Sequence, residues 1–135
     1  MLGCTTYYAP LGSIEFLSPV KSKIDMEKLL SIINPVLDKN NCDLVRRNIS
    51  DHPAGFSFHY VYECRKKIRV SFSGENIIFN YISDGDFIKE QPRPYKKDWY
   101  SIFVNVKSSL DEKWDQDIEA RIYNKEKSTE YLDNN

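Results

Sequence analysis

The sequence predicts an α+β fold in which an antiparallel β-meander of about four strands has two helices packed on one face. Three observations support this class. Apolar and polar residues alternate between residues 56 and 82, which is typical of half-buried strands. Loops of three and four residues interrupt this run where hairpin turns are expected. Two segments outside it carry apolar residues at helical spacing.

Length and composition indicate one domain with a real core. The chain has 135 residues, of which 41% are hydrophobic and 29% are charged. We assign residues 1–23 to an N-terminal leader or tether with one short edge strand. Residues 24–124 form the α+β domain, and residues 125–135 form a frayed C-terminal tail. The net charge of −1 gives no overall attraction to nucleic acid, so we expect no nucleic-acid partner.

The first helix is predicted to begin at Asp25, whose carboxylate is a good N-cap. Its apolar stripe consists of Met26, Leu29, Leu30, Ile33 and Leu37. Pro35 lies inside this pattern and lacks a backbone donor, which predicts a kink or an early stop near Asn34. Asn40 and Asn41 can adopt a left-handed conformation and end the element.

The strands follow, with a register that the loop lengths determine. Residues 42–49 form a first strand, and residues 50–55 form a turn. The loop at residues 65–67 places Ile68 opposite Cys64, and the loop at residues 73–76 places Ile77 opposite Phe72. A slip of one residue at either turn would send the apolar side chains to the wrong face. The agreement of two independent turns therefore predicts an antiparallel meander.

A second helix is predicted after a turn and a Pro-rich loop at residues 83–97. Asp98 serves as its N-cap. The apolar face of this helix consists of Trp99, Ile102, Phe103, Val106 and Leu110. Residues 117–123 fit both a continuation of the helix and a last strand, and the sequence leaves this choice open.

The N-terminal residues Leu2-Gly3-Cys4 resemble the bacterial lipobox, in which an apolar pair and a small residue precede a cysteine that becomes diacylated. Met1 stands where the lipobox usually has Leu, and we expect the hydrophobic segment of such a signal upstream of Met1. The resemblance implies lipidation of Cys4 and a location at the outer membrane or in the periplasm. Small envelope lipoproteins of this size and layout include immunity proteins that block periplasm-targeted toxins, although no immunity motif is matched residue by residue.

Two further cysteines could form a disulfide. If the turn centred on Pro53 is symmetric, Cys42 lies opposite Cys64, and directly paired cross-strand residues are within disulfide reach. An oxidising compartment would favour this bond and leave Cys4 free for a lipid. Two separate buried thiols are the alternative.

The outward face of the meander carries the residues that could suggest catalysis. His59, Arg69 and Ser71 share this face, but neighbours on an open sheet form no pocket and no oxyanion hole. No closely spaced His or Cys pair indicates a metal site, and the isolated glycines form no phosphate-binding loop. We therefore expect no catalytic residue, no metal, no cofactor and no small-molecule substrate.

The function predicted from these observations is a non-enzymatic, protein-binding lipoprotein of the bacterial envelope. Candidate anchors for the protein partner are Arg69, Arg93, Tyr95 and Trp114, because Arg and aromatic side chains often carry most of the affinity. The alternative is a cytoplasmic immunity or antitoxin-like binding protein, in which Cys4 is an ordinary thiol. An enzyme that uses His59 is the least favoured hypothesis.

Overall fold

The computed structural model describes residues 6–84, 96–123 and 129–130. Within them, seven strands form one antiparallel sheet in the order β2-β3-β4-β5-β1-β6-β7. The elements are β1 (Thr6–Phe16), α1 (Lys23–Lys39), β2 (Asp43–His52), β3 (Gly55–Cys64), β4 (Ile68–Ser73), β5 (Asn76–Asp84), α2 (Lys96–Lys113), β6 (Ile118–Tyr123) and β7 (Thr129–Glu130). The α+β class is confirmed, whereas the expectation of about four strands is too low.

The meander has the register that the loop lengths predict. Cys64 pairs with Ile68, and Phe72 pairs with both Tyr60 and Ile77. The three-residue loop between β3 and β4 is a short 3-10 turn in which Lys67 has a φ of 62°. All apolar side chains of the predicted inner face that the structure describes therefore point to one side of the sheet.

The additional strands come from segments that the sequence did not clearly assign. The segment expected to be a leader contains β1, which lies between β5 and β6 near the middle of the sheet. Thr6–Phe16 thus belongs to the domain and is neither a tether nor an edge strand. Residues 118–123 form the strand β6, which resolves the choice between helix and strand.

A β-bulge explains how β1 can contain Pro10 in this position. The register between β1 and β5 shifts between Pro10 and Gly12, so Leu11 is an extra residue that is buried in the core. The described pairs of β1 with β6 begin only at Gly12, so the missing backbone donor of Pro10 removes no hydrogen bond from that ladder. A Cβ at position 12 would lie 2.9 Å from the Arg121 carbonyl oxygen, which requires glycine there.

Helix α1 starts earlier and runs further than expected. Ser22 is the N-cap, and its hydroxyl accepts a hydrogen bond from the Asp25 backbone N–H at 3.1 Å, so Asp25 is inside the first turn. The helix continues through Pro35 to Lys39, and Asn41 then has a left-handed φ of 59°. Pro35 lies on the exposed side of the helix, where water can satisfy the carbonyl that loses its donor.

Both helices contribute to a single hydrophobic core on one face of the sheet. Phe72 stacks on Tyr60 and Tyr62, with ring centroids 5.3 and 5.8 Å away, and Phe79 meets Phe103 of α2 edge-to-face at 5.0 Å. The Tyr62 hydroxyl donates a hydrogen bond to Asn34 Oδ1 of α1. Burial, with a smaller contribution from Tyr60, raises the pKa of Tyr62 to about 12.

Candidate functional site

The sheet face opposite the helices is the first candidate surface, and we call it the open face. Its side chains in the middle strands follow from the register, because every second residue of each strand points to it. They include Ser57, His59, Val61, Glu63, Arg69, Ser71, Ser73, Ile78 and Asn80. Most are half-buried, so the open face is a polar surface rather than a second core.

An ion pair orders two side chains of the open face beside the turn between β3 and β4. Glu63 lies directly opposite Arg69, and the Arg69 Nη2 to Glu63 Oε2 distance is 2.5 Å. The Arg69 side chain is 23% exposed, so most of its length packs on the sheet. Val61 beside the pair is 5% exposed. Arg69 is therefore an ordered part of the surface, with part of its side chain accessible to a partner.

A shallow pocket of about 340 Å³ opens on the same face next to β1. It is lined by Pro10, Ser13, Glu15, Asn76, Ile78 and Tyr123. The Ser13 hydroxyl, which is almost fully buried, hydrogen-bonds the Tyr123 hydroxyl at 3.1 Å and so orients the pocket floor. Glu15 is the one ionisable carboxylate of this lining, so the pocket suits a cationic or hydrogen-bond-donating group.

The structure does not assemble a catalytic triad around His59. His59 lies directly opposite Ser73, whereas Ser71 lies opposite Val61 on the neighbouring pair of positions. Glu63, the nearest carboxylate on this strand, is paired with Arg69. The pocket described above is not lined by His59. In the part of the chain that the structure describes, these positions form no hydrogen-bonded Ser–His–carboxylate arrangement.

The remaining residues predicted from the sequence lie elsewhere. Trp114 is only 7% exposed, contacts Phe16 with ring centroids 6.0 Å apart, and lies under Lys28 Nζ at 5.5 Å. Trp114 is therefore a core residue and does not present an exposed anchor. Cys4, Arg93 and Tyr95 lie outside the described residues.

Cys42 and Cys64 are joined by a disulfide with a Cα–Cα distance of 4.0 Å. The expected pair is correct, but the geometry that produces it differs from a symmetric turn. His52 pairs with Gly55 around Pro53 and Ala54, which alone would not align the two cysteines. A register shift between Leu44 and Arg46 moves the pairing by one residue, so that Asp43 faces Glu63 and the cysteines next to them meet.

The edge of the sheet at β2 is a second candidate surface, and no pattern in the sequence had indicated it. Among the described strands β2 pairs with β3 alone, and all its residues except Ser50 are exposed. Leu44, Val45 and Ile49 are 46%, 51% and 44% exposed. The apolar residues of β2 suggested a strand but did not indicate that it lies at the edge of the sheet. The exposure of these residues shows that the helices do not cover this strand.

Neither a membrane-spanning helix nor a metal site is found in the described part of the chain. No helix there is both long and apolar enough to cross a bilayer. In the same part, no group of three or more His, Cys, Asp or Glu side chains could hold a metal ion.

Comparison with known proteins identifies no relative. No protein-family model, no curated protein and no solved structure matches the chain.

Proposed function

We propose that this chain is a non-enzymatic, protein-binding lipoprotein of the bacterial envelope, anchored through Cys4, that neutralises a periplasm-targeted toxin as an immunity protein. The observation that carries the proposal is the open face, a broad polar surface across the middle of the sheet. Its ordered ion pair of Arg69 with Glu63 and its shallow pocket at Glu15 give a protein partner fixed polar groups.

The disulfide between Cys42 and Cys64 supports the compartment named in this proposal. Disulfides persist in the periplasm and at cell surfaces, whereas thiols are kept reduced in the cytosol of most bacteria. A cytoplasmic binding protein would be exposed to those reductants. The bond therefore favours the envelope over the cytoplasmic alternative.

The open face also indicates what the toxin would present to it. The pocket at Glu15 is open and shallow, which suits the end of a side chain better than an enclosed small molecule. A lysine or arginine of the partner could place its charge against the Glu15 carboxylate while Ser13 and Tyr123 remain hydrogen-bonded to each other. We expect this contact to be a main polar anchor of the complex.

The test is protection of growing cells. A lipoprotein signal segment is placed before Leu2, and the product of a neighbouring gene is directed to the periplasm of a test bacterium, where we expect it to arrest growth. Co-expression of this chain restores growth, and Glu15→Arg abolishes the protection. The matched control is Glu27→Arg, since Glu27 is exposed on α1 away from the open face. Glu27→Arg retains full protection.

The outcomes separate the parts of the proposal. Labelled palmitate incorporated by the wild type and lost in Cys4→Ser supports the anchor. Protection only by a version without the signal segment would instead support the cytoplasmic alternative. Failure of both versions to protect against any neighbouring product would contradict the immunity function, and equal protection by the Glu15 variant would remove the open face as the binding surface.

A further inference from the structure

Within the described residues, strand β2 has one edge that pairs with no other strand. It is ten residues long, and the sheet order ends with it. Proteins usually protect such edges with charged side chains, above all lysine, or with proline, bulges or short strands. The charges on β2 have both signs, since Arg46 and Arg47 are followed by Asp51. β2 has one bulge at its start, but Arg46–His52 is regular and contains neither lysine nor proline. These seven residues therefore form a regular edge along which another strand could pair.

The backbone groups that face outward follow from the turn. His52 and Gly55 are paired across the two-residue turn Pro53–Ala54, so they exchange both backbone hydrogen bonds. Because such pairs alternate along an antiparallel ladder, the backbone groups of residues 46, 48, 50 and 52 point to β3. The backbone groups of Arg47, Ile49 and Asp51 point away from the sheet and are available to a new strand.

These three residues form a self-complementary pattern. An antiparallel copy of β2 centred on Ile49 places Ile49 against Ile49 and puts Arg47 against Asp51 twice. In this register the two residues of each pair exchange backbone hydrogen bonds, because the N–H and C=O groups of Arg47, Ile49 and Asp51 all point away from β3. Centring the copies on Arg47 instead would oppose Arg47 to Arg47, and centring them on Asn48 would pair Arg47 with Ile49. Of the registers centred within the regular segment, the one at Ile49 joins the opposite charges.

Apolar surface on the edge fits the same arrangement. In the described residues five large hydrophobic side chains are exposed, and three of them, Leu44, Val45 and Ile49, lie on β2. If the register centred on Ile49 is extended along both strands, Val45 of one copy approaches Pro53 of the other. Leu44 then approaches Ala54. Pairing through β2 would thus remove three exposed apolar side chains from water in each copy.

We infer that the chain forms a twofold homodimer by antiparallel pairing of two β2 strands, centred on Ile49, so that the sheets of the two copies become continuous. A second copy is a better occupant than an unrelated strand, because the opposite charges of Arg47 and Asp51 are placed symmetrically about Ile49. This inference does not depend on the proposed immunity function, since it concerns an edge outside the open face.

Charge reversal tests the register. The association of the purified chain is measured by sedimentation equilibrium at pH 8 and low salt, where exposed charges are little screened. We expect Arg47→Asp and Asp51→Arg each to raise the dimer dissociation constant about tenfold or more, because each places like charges opposite one another twice. The double variant with both changes restores wild-type association.

Matched controls lie on the same edge. Arg46→Asp changes a charge whose side chain points to the other face, and Asp43→Arg changes one beyond the bulge. Neither is expected to weaken the dimer. A wild type that stays monomeric at a concentration on the order of 1 mM would overturn the inference and leave the edge to a strand of another protein. An unchanged dissociation constant for Arg47→Asp would overturn the register. So would a double variant whose dissociation constant stays above that of the wild type.

Amide hydrogen exchange provides a second readout that does not depend on variants. In the dimer the amides of Arg47, Ile49 and Asp51 are bonded to the second copy, whereas in the monomer they face water. We expect their protection, and not that of Asn48 or Ser50, to increase with protein concentration. Concentration-dependent protection of all residues of β2 alike, or of none, would contradict pairing through this edge.

Discussion

Loss of the disulfide between Cys42 and Cys64 should destabilise the protein by about 3 kcal/mol. The bond joins residues 22 positions apart, and closing a loop of this size removes about this much entropy, in free-energy terms, from the unfolded chain at 25 °C. Both cysteines are nearly buried, at 6% and 9% exposure, but alanine removes only one sulfur atom from each side chain, so the cavity is small. The double variant Cys42→Ala/Cys64→Ala should therefore fold with reduced stability.

Guanidinium unfolding of the double variant, the wild type and Cys4→Ser measures this effect. For a domain of 135 residues the loss corresponds to a decrease in Tm of about 10 °C. Cys4→Ser should leave the free energy of unfolding unchanged. Since β2 is exposed and otherwise held by β3, its amides should lose protection before those of β4. A loss below about 1 kcal/mol would refute the loop-entropy reasoning.

Three further predictions concern the core and its connections. Gly74→Ala should cost about 1–3 kcal/mol in chemical denaturation, because its Cβ would lie 2.3 Å from the Val20 carbonyl oxygen. Gly55→Ala, which meets nothing within 4 Å, is the control and should be nearly neutral. Phe103→Ala should cost about 3–5 kcal/mol, since this ring is fully buried, and a smaller loss would indicate a core that collapses around the cavity. The pKa of Tyr62 is about 12 in the folded protein and 10.0 ordinarily. As the pH rises, the unfolded state therefore loses the Tyr62 proton first, and the free energy of unfolding should fall between pH 10 and 12. Tyr62→Phe should reduce that fall in pH-dependent urea unfolding, and an unchanged slope would contradict the assignment.

The meander was predictable because its register depends on local information. The lengths of the two turns and the parity of the apolar residues had to agree, and the pairs of Phe72 with Tyr60 and Ile77 show that they did. The burial of Trp114 could also have been predicted, because it follows Leu110 by four residues and continues the apolar face of α2. Its choice as a candidate anchor for a partner did not take this spacing into account.

The position of β1 and the exposure of β2 could not be read in the same way. The bulge at Leu11 changes the parity of β1, so its apolar residues do not alternate, and its partners in β5 and β6 are distant in sequence. Ile49 of β2 lies on the helix side of the sheet but beyond the helices. Which strand is covered depends on the packing of α1 and α2, and no local pattern in β2 encodes it.

The place of β1 in the sheet has a consequence for the order of folding during synthesis. Strands β2 to β5 are joined by short turns and can pair soon after they leave the ribosome or the translocation channel. β1 is made before them, yet it has no partner until β5 exists, and its second side waits for β6. An early-made strand thus remains unpaired until nearly the whole domain is available, which exposes it to aggregation and to chaperones.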